Sequence, residues 1–278
     1  MKYDAMIFDV DNVLIDTRKS FPVVIRTAIQ WLWKRHLKLE TDCTAFTTEH
    51  FRLMKSYPYF NDDFDIVWIL VNIAASSQRK SLSESFPGVT DLQGILDNFK
   101  GGDIEQWIRH GYGIKVPRNL VRKLCSEIYY GDEVFLKATG KPPSLVKCRG
   151  LWRFERPYLG LSWHNLALPA GIYTGRYKYE LELALKILGW EDFPSELAVT
   201  AEEGIKKPSP KGLEIICKRL NSSKPLYFGD AASDRESMEK LGYGTFIAIG
   251  DVLKDAPIKF PDVQTALESL SLIEGASM

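Results

Sequence analysis

Ala5-Met6-Ile7-Phe8-Asp9-Val10-Asp11-Asn12-Val13 is the stretch on which the reading of this chain turns. Four apolar residues run straight into an acid, and a second acid follows two positions later. A short apolar run closed abruptly by a polar residue predicts a strand buried on both faces. The pattern recurs toward the C-terminus. Ala170-Gly171-Ile172-Tyr173 ends in Thr174, Leu197-Ala198-Val199 in Thr200, and Leu226-Tyr227-Phe228 in Gly229-Asp230, while Thr245 to Ile249 makes a fifth run. Helical apolar patterns follow most of these runs, at 177–188, 208–220, 231–241 and 261–270. Short buried strands alternating with helices predict an α/β, doubly wound parallel sheet covered on both faces.

Residues 18–150 break the alternation. Long segments of helical period stand at 20–36, 62–77, 88–99 and 117–130, with Gly101-Gly102, Gly111 and Gly113 between them. A mostly helical module is therefore expected to be inserted after the first strand. Residues 1–16 and 155–278 then form the core, and 17–154 the insert with its return linker. The linker is read at 141–156, where Pro142, Pro143 and Gly150 accompany five basic residues and a single acid, Glu155.

Composition narrows the partners. Of 278 residues, 36 are Lys or Arg and 36 Asp or Glu, so the formal net charge is zero and nothing points to a nucleic-acid backbone. The apolar run at 66–75 is interrupted by Asn72 and is too short for a bilayer; it predicts a buried helix and no membrane partner. Asp4, Asp9 and Asp11 interrupt the apolar stretch that a signal peptide needs, so a cytoplasmic protein is expected. Cys43, Cys125, Cys148 and Cys217 lack disulfide-framework or zinc-ribbon spacing and read as reduced core thiols. His36, His50, His110 and His164 lack the spacing of a metal pair and read as structural or surface residues.

In an open parallel sheet, ligands bind beyond the carboxyl ends of the strands. The residues that stand there are Asp9 and Asp11, then Thr174-Gly175-Arg176, then Lys207, then Asp230 and Asp234. Four carboxylates in one crevice need neutralising charge, and oxygen-only donors favour magnesium over zinc. Asp9 and Asp11, two apart, can point the same way as the chain leaves its strand. With a helix opening at Ala231, Asp230 would stand at its cap and Asp234 a turn later. Pro208 reads as a first helical residue just after Lys207, and Lys206 as a solvated neighbour. Arg176 reads either as a phosphate ligand or as the solvated start of a helix.

Phe8-Asp9-Val10-Asp11-Asn12-Val13 resembles the first motif of the haloacid-dehalogenase-like (HAD) hydrolases. Thr174 is similar to their second motif, Lys207-Pro208-Ser209-Pro210 to their third, and Gly229-Asp230 through Asp234 to their fourth. The order matches, and the helical insert follows the first motif, as in the subfamily with a cap there. More narrowly, Thr174-Gly175-Arg176 and Asn61-Asp62-Asp63 resemble a poorly characterised phosphatase branch. In Asp62, Asp63 and Asp65, a solvated helix N-terminus outweighs contact with a cationic substrate group.

The resemblance implies a Rossmann-like core, a helical cap acting as a mobile lid, and a phosphatase acting on a small phosphorylated metabolite. It makes Asp9 the nucleophile that forms an aspartyl-phosphate, and Asp11 the general acid and base. It implies Mg2+ held by Asp9, the Asp11 carbonyl and Asp230, with Asp234 acting through water or by orienting Lys207. Thr174 and Gly175 would bind phosphate oxygens and Lys207 would stabilise the transition state. Two residues depart from the pattern: Asn12 replaces a usual Gly, and Ala231 a frequent Thr. Asn tolerates a left-handed backbone, so the first is expected to be harmless. A phosphomutase shares the whole apparatus. Outside enzymes, a receiver-like or other phosphoryl-binding module shares the residue types, but a receiver places its Lys after the last acids.

Overall fold

The computed structural model describes residues 2–41 and 45–274. Cys43 lies outside them. The chain divides into two compact units: one of residues 1–17, 55–59 and 155–278, the other of residues 18–54 and 60–154.

Among the described residues the first unit holds eight strands: β1 (Ala5–Phe8), β2 (Ile15–Asp16), β3 (Arg156–Pro157), β4 (Ala170–Tyr173), β5 (Ala198–Val199), β6 (Pro225–Gly229), β7 (Thr245–Ile249) and β8 (Lys259–Phe260). Six form one parallel sheet in the order β5-β4-β1-β6-β7-β8. β1 lies inside the sheet, with Met6 opposite Ala170 on one side and Leu226 on the other. All four of its residues are fully buried. The strand period of two sorts its side chains. Met6 and Phe8 enter the larger core, with Leu181, Leu185, Val263 and Leu267 from helices Lys178–Leu188 and Val263–Ser269. Ile7 enters the opposite core, with Leu213, Ile216, Met238 and Leu241 from helices Lys211–Leu220 and Ala232–Leu241. This is the doubly wound α/β arrangement.

Three strands escape the sequence pattern. β8 is two residues long and incompletely buried, and β2 and β3 pair antiparallel over two residues each. None is long enough to show alternation. Pro208 is not a first helical residue: its helix begins at Lys211, with Pro210 at the cap, and the Lys207–Pro208 peptide is cis.

In the second unit, helices Phe21–Trp31, Asp63–Ser76 and Arg118–Thr139 pack against one another. Asp62 caps the middle helix, accepting from the Phe64 and Asp65 N–H groups at 3.1 and 3.2 Å. Every residue from Phe64 to Ala74 in it is buried. The interruption at Asn72 has a physical reason: its amide donates to the carbonyls of Trp68 and Val116, and its oxygen accepts from the Lys115 and Val116 N–H groups. Four bonds satisfy the buried side chain. Asp62 and Asp65 are taken up by Arg122, and Asp65 also by Arg118, so these two acids are not the solvated charges expected. Glu127 is fully buried and accepts from three successive backbone N–H groups, Ser144 to Val146, at 2.7–2.9 Å. The long helix breaks at Gly131 (φ 71°), where a Cβ would stand 2.3 Å from the Gly150 nitrogen.

Candidate active site

Beyond Asp9 the chain makes one tight turn. The Val10 carbonyl accepts from the N–H groups of Val13, Leu14 and Ile15, and Asn12 takes a left-handed φ of 56°. The usual Gly of the motif is thus replaced by a residue that tolerates the same backbone. The Asn12 side chain does more. It donates to Asp230 Oδ2 at 3.1 Å and accepts from the Thr17 hydroxyl at 2.9 Å, tying the first strand end to the fourth.

Asp9 is 6% exposed, anchored by its N–H on the Phe228 carbonyl at 2.9 Å. The ammonium of Lys207 stands 2.7 Å from Asp9 Oδ1 and 2.6 Å from Asp234 Oδ1. Asp234 also accepts from the Tyr227 hydroxyl at 2.6 Å and the Ala231 N–H at 3.1 Å. Its approach requires Gly229, where a Cβ would lie 2.4 Å from the Asp234 Cβ. Carboxylate oxygens of Asp9, Asp230 and Asp234 all lie within 4.8 Å of one another.

Three buried carboxylates therefore crowd one ammonium. Burial pushes the Asp9 carboxyl up to about 7 against the pull of Lys207, and Asp234 and Asp11 push it further the same way. Burial, Asp234 and Asp9 raise Asp230 well above the carboxylate range, against Lys55 and Asn12. For Lys207, burial pulls downward, but Asp234 and Asp9 outweigh it and hold the ammonium above the ordinary lysine value. The surplus negative charge, carried on hard oxygen donors, fits a divalent cation of the magnesium type.

Thr174 closes β4, 1% exposed, and its hydroxyl oxygen accepts from the Arg176 N–H at 3.1 Å. Gly175 is exposed beside it. Arg176 is not the solvated helix start that one reading of its position gave. It is 1% exposed, and its guanidinium is occupied by Asp11, Glu155 and the Glu180 carbonyl.

Several participants carry no sequence signal. The rings of Tyr173 and Tyr227 flank the Lys207 ammonium, 5.2 and 5.6 Å from their centroids. Both tyrosines lie in runs that read simply as buried strand. Lys55, 6% exposed, belongs to the segment 55–59 that joins the core unit, and its charge acts on Asp230. Nothing local marks a lysine at a helix end as part of a distant site.

Among the described residues, no helix is long and apolar enough to cross a membrane. Cys125, Cys148 and Cys217 are free thiols, all raised by burial.

Neither a protein-family model nor a curated protein matches the sequence. Solved structures do match over nearly its full length. The phosphatase Tt82 from Thermococcus thioreducens is 26% identical, with a TM-score of 0.63 over 95% of this chain and 99% of that one. A hydrolase from Pseudomonas syringae is 14% identical, with a TM-score of 0.54 over 99% of this chain and all of that one. A HAD-superfamily hydrolase of subfamily IA from Geobacter sulfurreducens is also 14% identical, with a TM-score of 0.51 over 97% of both chains. At that identity the last two speak for the fold alone.

Proposed function

We propose that the chain is a haloacid-dehalogenase-like hydrolase, and within that fold a magnesium-dependent phosphatase of a small phosphorylated metabolite. One observation carries the reading. A buried lysine joins the first strand-end acid to the last, 2.7 Å from Asp9 and 2.6 Å from Asp234, with Asp230 inside the same cluster. That arrangement holds a nucleophile in place, supplies a cation for an incoming phosphoryl group, and leaves negative charge for a metal to balance.

In this reading an Asp9 oxygen attacks phosphorus as the ester P–O bond breaks, giving an aspartyl-phosphate, and Asp11 protonates the departing alkoxide. Asp11 then takes a proton from water, whose oxygen displaces the Asp9 carboxylate from phosphorus and releases inorganic phosphate. Thr174 and the Gly175 N–H bind phosphoryl oxygens, and Lys207 stabilises the charge that develops on them. Magnesium, when bound by Asp9, Asp230 and the Asp11 carbonyl, supplies positive charge to the phosphoryl group. The oxygens of Asp234 are engaged by Lys207, Tyr227 and the Ala231 N–H, so its part is to hold Lys207 in place. Balanced overall charge supports a small soluble substrate over nucleic acid, and free thiols at Cys125, Cys148 and Cys217 suit a reducing, cytoplasmic setting.

The test is phosphate release from a panel of phosphomonoesters, with and without Mg2+, for the wild type and Asp9→Asn. The wild type is expected to turn over, chelator to abolish this, and the variant to be inert. Equal turnover by Asp9→Asn would eliminate the covalent route. Isomer interconversion without net phosphate release would assign the chain to the phosphomutases instead.

A further inference from the structure

We propose that Arg176, braced by Glu155, is a positioning residue that fixes the acid–base group Asp11 in its working orientation. The inference rests on the reading of Asp11 given above. Arg176 Nε and Nη2 both donate to one oxygen of Asp11, Oδ1, at 2.9 and 2.7 Å. Nη2 also donates to Glu155 Oε2 at 3.1 Å, and Nη1 to the Glu180 carbonyl at 3.2 Å. The Arg176 N–H is held by the Thr174 hydroxyl. The guanidinium is thus fixed at both ends, with side-chain exposure of 1% for Arg176 and none for Glu155.

Two observations give this geometry a catalytic meaning. First, Asp11 is the open member of the network, its side chain 21% exposed while its partners are sealed. Second, both Arg176 bonds fall on Oδ1, so the clamp leaves Oδ2 to exchange protons with substrate and water. A buried, hydrogen-bonded ion network is a poor source of net stability and a good source of a single geometry. Glu155 offsets the cationic charge, so Arg176 can grip Asp11 without standing as an uncompensated buried cation. A proton donor displaced by an ångström loses much of its effect. The network therefore explains why the motif that closes β4 carries a buried arginine.

The test uses leaving groups. A nitrophenolate departs without help, whereas an alkoxide needs the Asp11 proton, and kcat/KM reports this first step separately from hydrolysis of the aspartyl-phosphate. In Arg176→Met, kcat/KM for alkyl phosphates is expected to fall about 10²-fold, the scale of general-acid assistance, and for 4-nitrophenyl phosphate by less than a tenth as much. Glu155→Gln, which keeps the shape of the network, is expected to show the same selectivity more weakly, and stands in if Arg176→Met does not fold by circular dichroism. In an Asp11→Asn background, Arg176→Lys is expected to add no further loss on alkyl esters. An equal loss on all esters, or one confined to KM, would make Arg176 a structural or substrate-binding residue and overturn the clamp alone. A wild type inert toward every ester in the series would overturn the phosphatase reading and the clamp with it.

Discussion

Both units of this protein bury carboxylates, and they treat them in opposite ways. In the helical unit, Glu127 meets three backbone N–H groups and Asp65 meets two arginines. Each charge is matched by donors of its own. In the crevice at the strand ends, Asp9, Asp230 and Asp234 lie within 4.8 Å of one another, and the lysine among them touches only two. Burial alone therefore does not mark function. A carboxylate with its donors in place holds a fold together, whereas one left in surplus waits for a ligand from outside the chain.

The sharpest way to break this contrast is to neutralise the first acid. Asp9→Asn is expected to cut turnover on the order of 10⁴-fold or more, as loss of a nucleophile does. It removes a surplus charge, so the metal-free variant is also expected to melt higher than the wild type. Phosphate release and a thermal melt on one preparation check both; a destabilised variant would place Asp9 with the matched carboxylates.

The converse change in the helical unit is Glu127→Ala, which strands three buried N–H donors. A loss of about 3–5 kcal/mol is expected, read as a shifted urea midpoint. Little change there would mean that the segment after Thr139 does not depend on its anchor.

Proton linkage separates the two regions by degree. The Asp9 carboxyl moves from 3.8 to about 7 on folding, chiefly through burial. Between those values the folded chain keeps a proton that the unfolded chain has released. Stability from this group is full below pH 3.8 and is lost as pH rises through about 7. The metal-free protein should therefore melt at lower temperature at pH 8 than at pH 5, and added Mg2+ should restore more at pH 8. A magnesium effect independent of pH would argue that the ion displaces no proton from the cluster.

The smallest effect is expected at Asn12. Glycine accepts the φ of 56° at that position, so Asn12→Gly removes only the side-chain bonds to Asp230 and Thr17. Stability should change by about 1 kcal/mol or less. Mg2+ affinity, followed by calorimetry, should weaken a few-fold because Asp230 loses its tie.

The strand-end acids were legible because their signal is local. A buried strand must be apolar, so a polar residue at its end stands out in Phe8-Asp9, Tyr173-Thr174 and Gly229-Asp230. Order along the chain then supplied the fold and the acids, threonine and lysine at the strand ends, but not Tyr173, Tyr227 or Lys55. Their employment was less legible. Arg176 could be read either as a phosphate ligand or as a solvated helix start, and nothing local pointed to a carboxylate partner. Its carboxylate partners, Asp11 and Glu155, stand 165 and 21 residues away.

The amino-acid sequence by itself determined the five main strands of the sheet and the residues that end them, since apolar period and chain punctuation follow from each segment's own need to bury one face or two. Only the tertiary structure decided which donor meets which acceptor. Asn12 with Asp230, Tyr227 with Asp234 and Lys55 within the core unit come from packing between distant segments. A hydrogen bond is settled by tenths of an ångström, and no periodicity carries that information.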